Sequence, residues 1–199
     1  MLRVIPLIEG VHTVEHTPQG RWLPGHTGAV TLLDNGEERI LIDTGSRGIF
    51  SSLLLRLLEE GESWSASSIT TVVLTHFHLD HSANLGAFQE ARVIGWGHDW
   101  RKDGTLSFAD IEQVQLMPGV RLMKTPGHAP EHLSVVVQIP GSQTIVIAGD
   151  AINEEYARTG RVHAFCYDEA LYRRSADQIL AIADIIIPGH GAPFANKKT

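Results

Sequence analysis

The sequence predicts an α/β (α+β) domain in which two mixed β-sheets are covered by helices on their outer faces. Short apolar runs separated by turn residues recur along the chain, and amphipathic helical segments occur in both halves. A chain of 199 residues with 43% hydrophobic content can bury one sizeable core, whereas two halves would each be marginal. We therefore interpret residues 1–199 as a single domain.

The first half predicts more strand than helix. A helix is expected over residues 49–60, because its apolar residues share one face and Gly61 can end it. A hairpin is expected around Asn35-Gly36, a pair that favours a type I′ turn. The other predicted elements are strands at 4–8, 11–16, 29–33, 39–42, 72–74 and 92–95, and a short helix at 84–88.

The second half predicts a second group of strands followed by one long helix. Residues 112–116 and 120–123 flank a Met-Pro-Gly turn signal. Residues 133–139 and 144–148 predict a hairpin, and residues 169–183 predict the helix. A strand at 185–187 completes the second sheet.

Residues 75–81, with the sequence Thr-His-Phe-His-Leu-Asp-His, form the densest group of ionisable side chains. The segment follows an apolar run, so its side chains are no longer held to alternating faces of a strand and can converge. Imidazole nitrogen and carboxylate oxygen are ligands for zinc, iron and manganese. The segment therefore indicates a metal site, and a merely His-rich polar turn is the alternative.

Three further metal-type ligands each follow an apolar run. His128 comes after residues 120–124, Asp150 after 144–148 and His190 after 184–187. A glycine precedes each of them, which lets the backbone approach a crowded ion. Four strand ends can thus deliver ligands to one edge of a sheet.

The order H-x-H-x-D-H, His, Asp, His resembles the metallo-β-lactamase superfamily, from Leu41 to His190. The resemblance implies a four-layer αββα sandwich with a dinuclear metal site at one edge of its sheets. It also implies that Asp43 accepts hydrogen bonds behind the ligands, although a turn-forming aspartate is the alternative. The implied ligands are His76, His78 and His128 for the first metal, Asp80, His81 and His190 for the second, and Asp150 for both.

On this resemblance the cofactors are two divalent metal ions, zinc before iron or manganese. A water shared by two such ions has its pKa lowered toward about 7, so a bridging hydroxide can act as nucleophile. Asp80 and Asp150 are the candidate catalytic carboxylates. The expected reaction is hydrolysis of a small ester, lactone or thioester.

Other branches of the family remain as alternatives. True β-lactamases of the superfamily lack a bridging aspartate, so Asp150 disfavours that branch. Glyoxalase II has an additional C-terminal helical segment that holds glutathione, and the nine residues after His190 are too few to form it, which disfavours the glyoxalase II branch. A mononuclear iron persulfide dioxygenase-like oxidoreductase has an overlapping ligand set. A phosphodiesterase or nuclease and a non-catalytic metal-binding module carry lower weight.

The residues that would shape a substrate pocket are less specific than the ligands. Small lactonases of the family place a tyrosine beside the metals after the bridging aspartate, and two tyrosines follow Asp150. Loop histidines and a Trp-rich segment are further candidates, and ordinary packing or surface positions are the alternative for each. The candidates are His26, Trp96, His98, Tyr156, His163 and Tyr167.

Composition restricts the partners. A formal net charge of -7 disfavours nucleic acid and anionic membrane as partners, so we expect a small-molecule substrate. The single cysteine, Cys166, excludes an intrachain disulfide. No long apolar run or signal-peptide pattern is present, and a cytoplasmic location is the default expectation. A homo-oligomer is left open.

Overall fold

The computed structural model describes residues 1–108, 110–139, 141–162 and 165–197. Within those ranges two main β-sheets pack together, and a separate short hairpin lies beside them. The strands are β1 Arg3–Ile8, β2 Glu15–Thr17, β3 Gly20–Trp22, β4 Val30–Asp34, β5 Arg39–Ile42, β6 Thr71–Val73, β7 Arg92–Gly95, β8 His98–Trp100, β9 Leu106–Phe108, β10 Val120–Lys124, β11 Leu133–Gln138, β12 Thr144–Gly149, β13 Ile185–Pro188 and β14 Phe194–Ala195. The α-helices are α1 Phe50–Glu60, α2 Leu79–Ser82, α3 Glu154–Thr159 and α4 Glu169–Ile182.

The strand order determines where the chain can place functional side chains. The first sheet has the order β1-β4-β5-β6-β7-β8-β9, and β5, β6 and β7 run parallel. The second sheet has the order β10-β11-β12-β13-β14, in which β10, β12 and β13 share one direction. The carboxyl ends of these strands deliver their following residues to one edge of the sandwich.

Three hydrophobic clusters correspond to the three interfaces of a four-layer sandwich. Because side chains alternate along a strand, Leu33 of β4 faces the second sheet while Leu32 faces α1. In the same way, Ile147 of β12 faces the first sheet and Val146 faces α4. A strand that is buried on both faces has a continuous run of apolar residues. Such runs allowed these strands to be predicted from the sequence.

Helix α1 covers the first sheet and helix α4 covers the second. Leu53 and Leu57 of α1 are fully buried, and burial of each contributes about 1.5–3 kcal/mol. On α4, Tyr172, Ala176 and Ile179 pack into the core. No helix in the described part of the chain is both long and apolar enough to cross a membrane.

Several local predictions were wrong. The loop at Asn35 has four residues rather than a two-residue type I′ turn, because the Asn35 side chain accepts hydrogen bonds from the backbone of Glu37 and Glu38. Gly61 does follow the last residue of α1, as predicted, with extended backbone, and a side chain there would collide with the Trp64 ring. Residues 111–113 form a 3-10 turn where a strand was expected, and residues 15–17 and 20–22 form a hairpin that was not predicted.

Candidate metal centre

Histidine and aspartate side chains from both sheets meet at one edge of the sandwich. His76 and His78 follow β6, and Asp80 and His81 lie in α2 directly after them. From the second sheet, the side chains after β10, β12 and β13 are those of His128, Asp150 and His190. All seven side chains predicted from the sequence are therefore brought together by the fold.

The first group consists of His76, His78 and His128. Each offers one ring nitrogen, and these nitrogens lie within 4.8 Å of one another. His128 Nε2 and His78 Nδ1 are 3.0 Å apart. His76 and His128 are buried whereas His78 is exposed, so the group is open on one side.

The second group consists of Asp80, His81 and His190. Asp80 Oδ2 lies 3.3 Å from His190 Nε2 and 3.6 Å from His81 Nε2. Hydrogen bonds hold the short helix in place, since the backbone N–H of Thr44 donates to the His81 carbonyl and that of Gly28 donates to the Asp80 carbonyl.

Asp150 lies between the two groups. Its Oδ2 is 3.2 Å from His128 Nε2, in the first group, and 3.5 Å from His190 Nε2, in the second. Its Oδ1 is 3.3 Å from His81 Nε2. One carboxylate thus faces both groups, as the sequence prediction requires of a bridging ligand.

These distances match the separations expected between ligand atoms that bind one cation. Two ligands that each lie about 2.0–2.2 Å from one zinc ion at a tetrahedral angle are roughly 3.3–3.6 Å apart. The contacts at Asp150 fall at or near that range. His76 Nε2 is buried and has no hydrogen-bond partner in the described part of the chain, which is costly unless an electron-pair acceptor binds it.

Asp43 determines which ring nitrogens are available to a metal. Asp43 Oδ2 accepts from His81 Nδ1 and from the Thr75 hydroxyl, each at 2.8 Å. Since the Thr75 hydrogen is used there, Thr75 Oγ1 accepts from His76 Nδ1 at 3.0 Å. Both imidazoles therefore turn Nε2 toward the cluster, which is the arrangement expected of metal-binding histidines.

The backbone of Asp43 is adapted to this role. Its φ is 60°, and no other non-glycine residue in the described ranges has a positive φ. Aspartate tolerates this left-handed conformation better than most residues, although it remains costly. The turn directs the carboxylate under both Thr75 and His81 instead of along β5.

His132 supports Asp150 through a chain of ordered hydrogen bonds. The backbone N–H of Asp150 donates to His132 Nε2 at 3.2 Å, so Nδ1 carries the ring hydrogen and donates to Thr125 Oγ1 at 2.9 Å. Thr125 contacts Ser134, whose hydroxyl donates to the Ala148 carbonyl. His132 is fully buried, and burial lowers its pKa to about 3, so it stays neutral.

Two glycines allow the backbone to pack against the cluster. A Cβ at Gly189 would lie 2.0 Å from Asp150 Oδ1, and one at Gly28 would lie 2.5 Å from the His81 ring. Any larger residue would displace these side chains. The two glycines therefore let the backbone lie directly against the side chains of the cluster.

The electrostatics of the metal-free cluster favour cations. Burial favours neutral His190, but hydrogen bonds to Asp150 and Asp80 raise its pKa to about 9. Burial likewise opposes ionisation of Asp80, yet the hydrogen bond with His190 lowers its pKa to about 2. Protons thus occupy this part of the cluster when no metal is bound, and metal binding must displace them.

A cleft of about 710 Å³ opens beside the cluster. Asp150, His128 and His190 form part of its wall, so the cluster is accessible from this side. Residues 9–14, from the connection after β1, line another part. Further polar and aromatic residues of the wall include Arg21, Glu154, Glu155, Arg161, Phe165 and Tyr172.

Most of the predicted pocket residues lie elsewhere. Tyr156 is buried against α4 with its hydroxyl 3.4 Å from Asp177 Oδ1, and Tyr167 is exposed. His98 stacks on Trp100, and Trp96 lies near Lys124. None of these four lines the cleft as far as the described residues define it, and His163 lies outside the described residues. His26 lies beside Asp80 in the second group.

Sequence reasoning missed the residues that do line the cleft. Arg21 lies on the short exposed strand β3 and Phe165 lies in a connecting segment, and in neither does a pattern of apolar residues give information about position. Tyr172 could have been suspected from its place at the start of a helix that follows the predicted bridging aspartate. His132, four residues after His128, lies directly behind Asp150.

The sequence and the fold are similar to those of proteins whose family is known. Residues 23–109 match the profile of the metallo-beta-lactamase superfamily. Metallo-beta-lactamase domain-containing protein 1 of Xenopus laevis is 32% identical over 173 residues, covering 84% of this chain and 72% of that relative. The protein of the same name from Mus musculus is 36% identical over 160 residues, covering 78% of this chain but only 60% of that relative. The chain belongs to the metallo-beta-lactamase superfamily.

Two other comparisons extend this result. An atrochrysone carboxyl ACP thioesterase of Aspergillus fumigatus is 30% identical over 173 residues, covering 83% of this chain and 51% of that relative. An N-acyl homoserine lactone hydrolase, solved with N-hexanoyl-L-homoserine at its catalytic metal centre, superposes with a TM-score of 0.67 at 21% identity. The superposition covers 96% of this chain and 92% of the hydrolase. The predicted metallo-β-lactamase sandwich is confirmed.

Proposed function

We propose that this chain is a metal-dependent hydrolase that cleaves a small ester, lactone or thioester. The observation that carries the proposal is Asp150, whose carboxylate lies between two groups of nitrogen and oxygen ligands at 3.2–3.5 Å. The relatives named as a thioesterase and as a lactone hydrolase support carbonyl chemistry.

Three imidazoles would hold a first cation and three further ligands a second, with Asp150 contacting both. These are His76, His78 and His128 for the first, and Asp80, His81 and His190 for the second. A pair of divalent ions there, zinc before iron or manganese, would supply an acidified water and polarise a carbonyl oxygen.

The protein's own residues prepare this chemistry. Asp43 keeps the Nδ1 hydrogens of His76 and His81 on the outer side of the cluster, so that both Nε2 lone pairs face inward. His132 holds the backbone of Asp150 and thereby the direction of its carboxylate. Because these contacts exist before substrate binds, little reorganisation is needed during the reaction.

The size of the cleft supports a small-molecule substrate. Its volume lies within the roughly 300–1,000 Å³ typical of small-molecule sites. Since only Asp150, His128 and His190 of the seven predicted ligands line it, a carbonyl group entering from the cleft would meet the cluster on that face.

Elemental analysis combined with a substrate panel tests the proposal. Protein purified without added metal should contain two equivalents of divalent metal per chain and should hydrolyse at least one lactone, ester or thioester. Chelation should abolish turnover, and metal should restore it. Full hydrolysis by the metal-free protein would contradict the proposal, and one iron per chain with oxygen uptake on a persulfide would replace it by the oxidoreductase alternative.

A further inference from the structure

Arg21 is a cationic residue of the cleft wall that no carboxylate of the described chain neutralises. It lies on β3, in the short hairpin beside the two main sheets, and lines the same cleft as Asp150, His128 and His190. Acidic residues outnumber basic ones in this sequence by 23 to 16, yet no carboxylate oxygen in the described ranges lies within 4.0 Å of its guanidinium. The charge is therefore available to a molecule that enters the cleft.

Other charged side chains of the wall already have partners of opposite charge. Arg161 Nη1 lies 3.3 Å from Glu155 Oε1. Glu154 Oε1 lies 3.9 Å from Arg158 Nη1. Of the two arginines that line the cleft, Arg21 is thus the one whose N–H donors are not committed to a carboxylate in the described part of the chain.

A row of rings along the cleft wall connects Arg21 with the candidate metal centre. The centroid of the His12 ring is 5.4 Å from that of His190 and 6.4 Å from that of Phe165. The guanidinium carbon of Arg21 lies 5.8 Å from the Phe165 centroid. All four residues line the cleft. A molecule that places a carbonyl group at the metal centre can therefore extend along these rings to the guanidinium.

The contact between Arg21 and Phe165 leaves the guanidinium able to bind an anion. Phe165 is half-exposed, and a guanidinium over an aromatic ring is held electrostatically by the ring. That contact orders Arg21 without using its N–H donors. A guanidinium presents these donors as a planar fork, which matches the paired oxygens of a carboxylate or a phosphate.

We propose that the substrate carries a carboxylate or phosphate group at the end remote from its scissile carbonyl, and that Arg21 binds this group. The inference rests on the proposed function, because the carbonyl must be bound at the metal centre. The part of the substrate between the two ends would lie along His12 and Phe165. Arg21 is then a specificity-determining residue that contacts the substrate away from the reacting atoms.

Matched substrates that differ only at the remote end test this inference. Within the ester, lactone or thioester class that the substrate panel identifies, one series ends in a carboxylate, a second in a phosphate and a third in a methyl group, each over several chain lengths. We expect the best anionic substrate to have a KM about five- to tenfold below that of its methyl-ended counterpart, and added salt should reduce the difference. Equal constants for the three series would overturn the inference. A panel with no hydrolysed substrate would contradict the proposed function, and this inference with it, so the two failures are distinguishable.

Variants of Arg21 separate its charge from its packing. Arg21→Ala should raise KM for the anionic substrate about five- to tenfold and KM for the methyl-ended substrate less than about twofold. Arg21→Lys should retain part of the preference, because it keeps the charge but loses the planar fork. Arg121→Ala, at an exposed position of β10 outside the cleft wall, should leave both constants unchanged. An equal rise of KM for both substrates in Arg21→Ala would show that the residue only shapes the wall, and would overturn the inference.

Binding of the hydrolysis products gives a readout that does not depend on turnover. The carboxylate-ended and phosphate-ended substrates yield products with two anionic groups, whereas the methyl-ended substrate yields a product with one. In calorimetric titrations the products with two anionic groups should bind wild-type protein about five- to tenfold more tightly, and this difference should disappear in Arg21→Ala. A difference that persists in Arg21→Ala would overturn the assignment of Arg21.

Discussion

The candidate metal centre and the cleft beside it are built from different parts of the chain. Each predicted ligand lies at or shortly after the end of a strand, and many of these side chains have a hydrogen-bond partner that orients them. The cleft is lined largely by connecting segments, such as residues 9–14 and 152–155, and several of its side chains reach solvent.

This difference predicts that the metal centre carries out the reaction, whereas the cleft determines which substrate binds. The strands that precede the ligands pack on two interfaces of the sandwich, so the core holds the backbone from which the ligands extend. The connecting segments carry fewer such restraints, and loops on a rigid scaffold commonly determine what a site binds. Variants of the centre should therefore change metal binding and rate, whereas variants of the cleft should change substrate affinity.

The largest effect is expected for His78→Ala, which removes a predicted ligand from an exposed position and so spares the core. Loss of metal polarisation is worth several kcal/mol, so kcat/KM should fall at least about a thousandfold. Metal content should also fall, as measured by elemental analysis. His16→Ala provides an exposed histidine control. Full metal occupancy with normal turnover in His78→Ala would contradict the assignment.

Asp43→Asn should have the next largest effect. Asparagine tolerates the left-handed backbone at this position, so the variant isolates the loss of a carboxylate that accepts from Thr75 and His81. Zinc affinity should fall by about 10–100-fold, measured by competition with a chelating dye. Asp34→Asn is the matched control, since Asp34 is also buried but pairs with Arg3 away from the centre. Equal zinc affinities in the two variants would show that Asp43 does not support the metal ligands.

His132 makes stability of the metal-free protein depend on pH. Burial lowers the pKa of His132 to about 3, whereas the unfolded chain binds a proton at a pKa near 6.5. The unfolded state therefore gains protons first, and the free energy of unfolding should fall as pH drops from about 6.5 toward 3, by up to ~1.4 kcal/mol per unit. His132→Gln should flatten this slope in urea unfolding with a chelator present. Identical slopes for wild type and variant would show that His132 does not contribute.

The same comparison explains what the sequence could predict. His76 to His81 stand in one short segment after an apolar run, and His128, Asp150 and His190 each follow another, so type, order and spacing all carry information. The fold then supplies only their convergence. Tyr156 and Tyr167 were chosen as pocket candidates because both follow Asp150 in the sequence. In the structure Tyr156 is buried in the core and Tyr167 is exposed to solvent. His26 shows the same limit, because its position beside Asp80 depends on the path of the loop after β3.

The smallest expected effect comes from the cleft wall. Arg21 lies on β3, lines the cleft and holds its guanidinium carbon 5.8 Å from the centroid of the Phe165 ring. Arg21→Ala should raise KM roughly two- to tenfold and leave kcat within about twofold, because it removes binding that substrate and transition state share. Tyr167→Phe, which alters an exposed hydroxyl outside the cleft, should leave both constants unchanged. Steady-state kinetics on the best substrate of the panel would measure both variants. If Arg21→Ala instead lowered kcat as much as kcat/KM, the cleft wall would act in the chemical step, and the separation between a catalytic centre and a selecting cleft would not hold.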